Sequence, residues 1–469
     1  MTTPSAGARP HPSVADRAES GRQAAARVPL DGLGEVGDGA DRDPVGLLLG
    51  QAADRVPELV PIRHGRMART PFTFYRGAAL VMADDLSRTP NSGLQVQLCG
   101  DAHLSNFGLY ATPERQLTFD VNDFDETYPG PFEWDVKRLA ASLVVAAVAN
   151  GATPKAGKEI ARACAQEYRE TMAALAGMGT LTAWYSHAMP TEGLEQVGAL
   201  LDRTTAKTVR RTIRKAWGRD SLQALGKLTV VEDGQLRFVD QPPLIVPIES
   251  LLGDSAAGFY DELRVRYGDF RSTMAPHHQV LLDRFHIVAM ARKVVGVGSV
   301  GTQAWVLLLE GKDSGDPLIL QAKEAQRSVL AAYLEGPEYE NEGERVVLGQ
   351  RLIQAVSDVF LGWNGGAGVD GKHRDFYLRQ LRDAKGSFAI ELFDTPALTV
   401  YGRMCARVLA FGHGRSGDAV AISAYLGETD MFDKAIRRFA SRYCKVNAAD
   451  HAEFVAAIER GTVTAIAEY

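Results

Sequence analysis

One stretch limits what this chain can become: LCGDAHLSNFGLYATPERQLTFDVNDFD, from Leu98 to Asp125. Leu94 to Leu98 alternates as a short strand. Gly100 to Asn106 then makes a polar turn, and Phe107 to Tyr110 with Leu117 to Val121 reads as a hairpin delivering Asp123-Phe124-Asp125. Asp101, His103, Asn106, Asp120, Asp123 and Asp125 are thereby gathered into one short segment. Asp and Asn favour turns whatever their function, so an isolated D-x-x-x-x-N means little. Here a second acidic element follows at hairpin distance. Oxygen acceptors placed at strand ends suit a hard cation such as magnesium, which takes one or two carboxylates, waters and substrate phosphates.

A chain of 469 residues can bury a large core and build two to three domains or lobes. Its formal net charge of −6 gives no general affinity for polyanions. The basic stretch Arg203 to Arg219 reads as a solvated helix face, so nucleic acid is not an expected partner. Cys99, Cys164, Cys405 and Cys444 are far apart and form no CxxC pair, which argues against a disulfide framework or a zinc site. The longest apolar run, Leu139 to Ala149, is too short to span a bilayer, and the N-terminus has no apolar signal core. The expectation is a cytoplasmic protein without a membrane partner.

Taken in order, residues 1–27 are rich in Ala, Pro, Gly, Arg and Ser and are expected to be a disordered tail. Residues 28–93 should form a segment packing on the core, with a short helix from Asp43. Arg63, His64, Arg66 and Arg76 lie there beside aromatic residues, either as phosphate contacts or as paired surface arginines. Residues 94–291 should hold the acidic loops and a helical lobe, with helices over Glu133 to Asn150, Lys155 to Gly177, Thr204 to Leu225, Leu251 to Tyr267 and His278 to Ala291. Leu228 to Val231 and Leu236 to Val239 read as a hairpin. Residues 292–390 turn β-rich. Gly296-x-Gly298-Ser299-x-Gly301 sits between β-like runs rather than before a helix, and the strand Pro317 to Ala322 ends at Lys323. Arg345 to Val356 is a helix and Phe376 to Leu381 a strand. Residues 391–469 return to helix, Thr399 to Gly412 first.

These motifs resemble those of the protein-kinase-like superfamily. Gly100-Asp101-x-His103-x-x-Asn106 is similar to the G-D-x-H-x-x-N loop of aminoglycoside and choline phosphotransferases, Asp123-Phe124-Asp125 to their metal element, and Trp134-Asp135-Val136-Lys137-Arg138-Leu139 to the helix that follows it. Gly296 to Gly301 followed by Lys323 resembles the glycine-rich loop and strand lysine that hold nucleotide phosphates. The order is reversed, with the catalytic loop before the glycine loop. The resemblance therefore implies an α+β, circularly permuted protein-kinase-like fold of two lobes, a helical large lobe and a small β-rich nucleotide lobe. PIRHGRM, PFTFYRG, GDAHLSNFG, NDFDE, PFEWDVKRLAAS, VVGVGSVGT, GQRLIQAVSDVFLGW and FYLRQLRDAKGS also resemble the bacterial domain-of-unknown-function family 2252 over roughly residues 43–460.

By that resemblance the chain is expected to use ATP and Mg2+ to phosphorylate a hydroxyl of a small molecule, a variant of which would make that hydroxyl a leaving group for a later step. Asp101 would orient or deprotonate the acceptor, with His103 assisting or bracing the loop. Asn106 and Asp123 would hold the metal, with Asp125 and Asp120 as rivals. Gly296, Gly298, Ser299, Gly301 and Lys323 would hold phosphates. Glu344, Glu324 or Glu335 would pair Lys323. Two other functions fit parts of the pattern: a nucleotide-binding regulatory module without turnover, and a metal-dependent hydrolase using the Asp, His and Asn cluster.

Overall fold

A computed structural model describes residues 12–37, 39, 41–188, 226, 228–232, 235–294, 296, 298, 300–368, 371–381 and 388–466. The basic stretch 203–219, the helix expected over 204–225 and Ser299 lie outside these residues. Among the described residues twelve strands run in chain order: β1 (Gln95–Leu98), β2 (Phe107–Ala111), β3 (Leu117–Val121), β4 (Tyr128–Pro131), β5 (Thr229–Glu232), β6 (Gln235–Phe238), β7 (Ile245–Pro247), β8 (His286–Lys293), β9 (Ala304–Glu310), β10 (Pro317–Ala325), β11 (Gly362–Ala367) and β12 (His373–Gln380). Six form one antiparallel sheet in the order β11-β12-β10-β9-β8-β7; β1 pairs with β4, β2 with β3 and β5 with β6. The fold is therefore mixed α+β.

The alternation of β10 decides what the sheet offers to each side. Leu318, Leu320 and Ala322 face one way and join Trp305, Leu307, Phe376 and Leu378 in a core that includes Phe270 of the helix Ala256–Ser272. Ile319 belongs to the core on the other face, with Val306 and Leu308. Side chains alternate along a strand, so Lys323 shares the Ile319 face. It stands opposite Tyr377 of β12 and Ala304 of β9.

The helical body packs the helices Glu133–Ala149, Pro154–Gly177, Thr395–Ser416 and Met431–Glu459 around a shared core. Glu133–Ala149 is buried through most of its length, as its apolar second half requires. No helix among the described residues is long and apolar enough to cross a membrane.

Three expectations are corrected. Residues 14–27 of the expected disordered tail form a helix, closed by a capping box between Ser13 and Asp16. It docks through Gly21, where a side chain would collide with the backbone of Ala421, and through Arg17, whose guanidinium donates to Asp418 at 2.8 Å. Its small residues are packing surface. The helix expected over His278 to Ala291 is a helix only at Pro276–Leu282, and β8 begins at His286 because Ile287, Ala289 and Ala291 pair with β9. The sheet thus starts at β7, well before residue 292. Finally, the helix expected to end at Gly412 continues to Ser416.

Candidate active site

The polar turn after β1 is held by the helix that follows the hairpin. Gly100 has φ +84°, and a side chain there would strike the Glu126 carbonyl, so glycine alone fits. Asp135 accepts the backbone N–H groups of Cys99 at 2.7 Å and Gly100 at 3.1 Å, and His413 Nε2 lies 3.3 Å from it. One turn further along the helix, the buried Arg138 grips Asp101 Oδ1 from Nε at 2.8 Å and Nη2 at 2.7 Å. Asp101 Oδ2 faces His103 Nε2 at 3.6 Å. His103 Nδ1 accepts the Ser105 N–H at 3.2 Å, which leaves the ring proton on Nε2. Burial lowers the His103 pKa to about 3 against the pull of Asp101, so the ring is neutral and braces the loop. Asn106 donates its amide N–H to the Asp101 carbonyl at 2.8 Å, which keeps its amide oxygen as an acceptor.

The hairpin β2–β3 runs in the expected register, and Asn122 N–H bonds the Asn106 carbonyl at 2.8 Å where it leaves the ladder. Phe124 is buried, which turns the flanking carboxylates of Asp123 and Asp125 toward the sheet. There Lys323 Nζ lies 2.6 Å from Asp125 Oδ2 and 3.5 Å from Asp123 Oδ1. Tyr377 OH donates to Asp125 Oδ1 at 2.6 Å. Burial would raise the Asp125 pKa, but Lys323 and Tyr377 bring it down to about 2. Burial opposes the Lys323 charge, and Asp123 and Asp125 overcome it and raise its pKa. Both Asp125 oxygens are thus engaged by side chains of the sheet.

The expected carboxylate partners of Lys323 are corrected. Glu344 sits in the first turn of the helix Glu342–Ile353, but that helix turns its neighbour Arg345 inward. Arg345 is fully buried and donates to the carbonyls of Thr127 (2.6 Å), Asp125 (2.9 Å) and Gln326 (2.8 Å) and to Glu342 (2.5 Å). Glu324 accepts Gln303 N–H at 2.7 Å and pairs with Arg374 at 2.5 Å, and Glu335 is exposed. Asp120, the rival for the metal, is buried on β3, where burial raises its pKa to about 6 against the attraction of Arg415.

Asp101, His103, Asn106, Asp123, Asp125, Gly296 and Gly298 line one cleft open to solvent, whereas Gly301 and Lys323 stand behind its lining residues. The glycine loop that covers it is tied down from outside: Val56 N–H bonds the Gly301 carbonyl at 2.7 Å, Arg55 Nη1 donates to the Gly298 and Val300 carbonyls at 2.8 and 2.7 Å, and Arg66 Nη1 reaches the Gly296 carbonyl at 2.6 Å. Sequence reasoning missed four participants. Arg138, Tyr377 and Glu126 all stand inside quoted motifs, but nothing local marks their direction. Glu126 lines the cleft and accepts Val329 N–H at 2.8 Å, and burial raises its pKa to about 7. Arg55, the fourth, precedes the arginine-rich motifs and has no signal of its own.

Among the described residues no three His, Cys, Asp or Glu side chains converge as a metal cage. A carboxylate (Asp123) and an amide (Asn106) on one cleft wall are still a fitting partial set for magnesium, which keeps waters and takes its remaining oxygens from phosphates.

A family model described as an uncharacterized protein conserved in bacteria (DUF2252) matches residues 55–457. No curated protein and no solved structure matches the chain.

Proposed function

The chain belongs to the bacterial family DUF2252, and we propose that it transfers the γ-phosphoryl group of ATP to a hydroxyl of a small molecule, with magnesium, on a circularly permuted protein-kinase-like fold. The observation that carries this reading is the meeting of the buried Lys323 with Asp123 and Asp125, which line the cleft of Asp101 and Asn106. Their meeting sets a strand lysine beside the acidic hairpin, an arrangement that one ligand would span. A nucleoside triphosphate does so, met by a strand lysine from the sheet and by a metal-bearing aspartate from the hairpin.

The permutation has its own support. Gln97 N–H of β1 donates to Ser416 Oγ at 3.1 Å, where the helix Thr395–Ser416 ends. Joining that end to β1 would restore the usual order, with the glycine loop and lysine first and the catalytic loop after them. Asp125 takes the lysine-bracing role that a helix glutamate plays in the superfamily the motifs resemble, and Tyr377 fixes its second oxygen.

The roles follow from the contacts. Arg138 occupies Asp101 Oδ1, so Oδ2 is the oxygen that orients the acceptor hydroxyl and takes its proton as the new O–P bond forms. The γ-phosphorus to β-bridging-oxygen bond breaks, ADP departs, and Asp101 returns its proton to solvent. Lys323 shifts from Asp123 toward the phosphates, while Asp125 retains it in the cleft. Magnesium, held by Asp123 and Asn106, would neutralise charge on the phosphates. His103 keeps Asp101 in place.

The test is binding followed by turnover. Mg-ATP at a hundredfold excess over Kd should stabilise the wild type by about 2.7 kcal/mol, and Lys323→Met should lose most of that shift. ADP release should then appear with an acceptor. A folded Lys323→Met protein stabilised as well as the wild type, or turnover without nucleotide, would break the reading.

A further inference from the structure

We infer that the arginines of this cleft, Arg63 and Arg76 with Arg55, form an oxyanion subsite, and that the acceptor is a small hydroxy compound carrying a carboxylate or a phosphate of its own. The inference rests on the phosphotransferase reading for the word acceptor, and on the arginines alone for the anion.

Arg63 is 1% exposed and lines the cleft. Its Nη2 donates to Gln51 Oε1 and to the Gly77 carbonyl, both at 2.9 Å. Its Nε and Nη1 are buried and hydrogen-bonded to nothing. Among the described residues no carboxylate pairs with it, and the charge nearest in effect is another cation, Arg55. Arg55 is 7% exposed, and its Nε is likewise buried without a partner. Arg76 lines the same cleft with its Nε also unsatisfied, and it lies within electrostatic reach of Asp101 and His103. A guanidinium does not give up its proton in a protein, and a buried charge is ordinarily paired. Arg55 lies within electrostatic reach of Glu126, Glu324 and Asp125, and Arg76 of Asp101 and Glu391, whereas the charge in reach of Arg63 is the cation Arg55. Its unmet donors are those left for an anion, and a planar fork of N–H groups matches a carboxylate or phosphate.

The position assigns the anion to the acceptor rather than the nucleotide. Lys323 and the glycine loop already serve the triphosphate in the proposed reaction. Arg76 lies within electrostatic reach of Asp101, the residue that meets the acceptor hydroxyl in the proposed reaction, and Arg63 lines the same cleft. An acceptor held there would place its hydroxyl on Asp101 Oδ2 with its anion on the arginines.

The experiment uses the full chain and inorganic phosphate as probe, followed by thermal unfolding with and without saturating Mg-ATP. Phosphate should raise the Tm in both conditions, and Arg63→Gln should weaken its apparent affinity roughly tenfold or more. Should Arg63→Gln fail to fold, Arg76→Gln, at the more accessible end of the wall, decides. Lys323→Met should keep the phosphate shift while losing that of Mg-ATP. A phosphate shift that vanishes at saturating Mg-ATP would hand the arginines to the nucleotide and overturn the inference. So would equal phosphate affinity in wild type and both variants. Phosphate binding without Mg-ATP binding would break the phosphotransferase reading alone and leave the subsite standing. In the turnover arm, hydroxy acids, phosphorylated alcohols and neutral polyols are compared by ADP release. One of the first two classes should win, and its KM should rise with Arg63→Gln. Neutral polyols accepted as well, with no effect of the substitution, would sink it.

Discussion

The two walls of the cleft treat buried charge in opposite ways. On the hairpin side Asp101 is answered by Arg138, Asp125 by Lys323 and Tyr377, and the backbone carbonyls behind them by Arg345, although Arg379 Nε there has no hydrogen-bond partner. On the N-terminal wall Arg55, Arg63 and Arg76 leave donors unanswered. Buried polar groups in native proteins are overwhelmingly satisfied, and the exceptions call for a reason. The contrast is between carboxylates met by cations on one side and arginine donors left unmet on the other, and the proposed anion subsite rests on it.

The largest expected effect separates chemistry from binding. Asp101→Asn should lower kcat about 10²- to 10⁴-fold, the range for removing a positioned proton acceptor. It should leave phosphate binding at Arg63 within about a factor of two or three. Initial rates and thermal shifts on one preparation check both. A variant that kept full turnover would remove Asp101 from the reaction, and the contrast between the walls would lose its functional meaning.

Next comes stability. Arg345→Met deletes four hydrogen bonds from a fully buried guanidinium and strands three carbonyls, so it should cost about 3–5 kcal/mol of unfolding free energy. Arg63→Met removes a charge that has no carboxylate to leave behind. Its cost in the absence of ligand should be about 1–2 kcal/mol smaller, because the desolvation of an unpaired charge is relieved. Denaturant titrations of both variants decide it. Equal losses would mean that the N-terminal wall is as complete as the other.

Much of the paired wall was legible in the sequence, and little of the other. The hairpin, the polar turn and Lys323 on its strand follow from period-two alternation and turn chemistry, which are local. The lysine's partner was sought at Glu344, Glu324 or Glu335, whereas Asp125 of the hairpin supplies it and the helix turns Arg345 inward instead. Consecutive helix positions differ by about 100°, so Glu344 and Arg345 point differently, and only packing against Thr127 and Gln326 chooses between them. The N-terminal helix Val14–Arg27 was hidden because Ala and Gly look featureless until a second helix is close enough to need them. The arginine wall raised a fair question, phosphate contacts or paired surface groups. The sequence could not answer it, since pairing depends on which carboxylates arrive from far along the chain.

A smaller effect concerns pH. Glu126 lines the cleft with its pKa raised from 4.5 to about 7, chiefly by burial. A carboxyl group whose folded pKa is raised contributes stability in full below its unfolded value and loses it as pH rises through the folded one. Between pH 4.5 and 7 this residue should therefore cost the fold on the order of 2 kcal/mol, discounted for its partial contact with solvent. Glu126→Gln should flatten that slope, as read from denaturant midpoints across the pH range. A ligand anion on the arginines would favour the protonated form, and magnesium nearby the ionised one, so the slope also reports which wall is filled.

The smallest effect tests whether the glycine loop belongs to the N-terminal wall. Arg66 reaches the Gly296 carbonyl at the exposed edge of the cleft, whereas Arg55 holds Gly298 and Val300 from a buried position. An exposed hydrogen bond of this kind contributes about 0.5 kcal/mol at most. Arg66→Ala should hence leave the Tm almost unchanged. Its consequence should be kinetic: a loop freed at Gly296 but held at Gly298 opens more readily, so Mg-ATP should associate and dissociate faster with little change in Kd. Stopped-flow measurement with a fluorescent ATP analogue reads this directly. A large loss of stability would mean that Arg66 secures the wall, while unchanged rates would show that Arg55 and Val56 hold the loop without it.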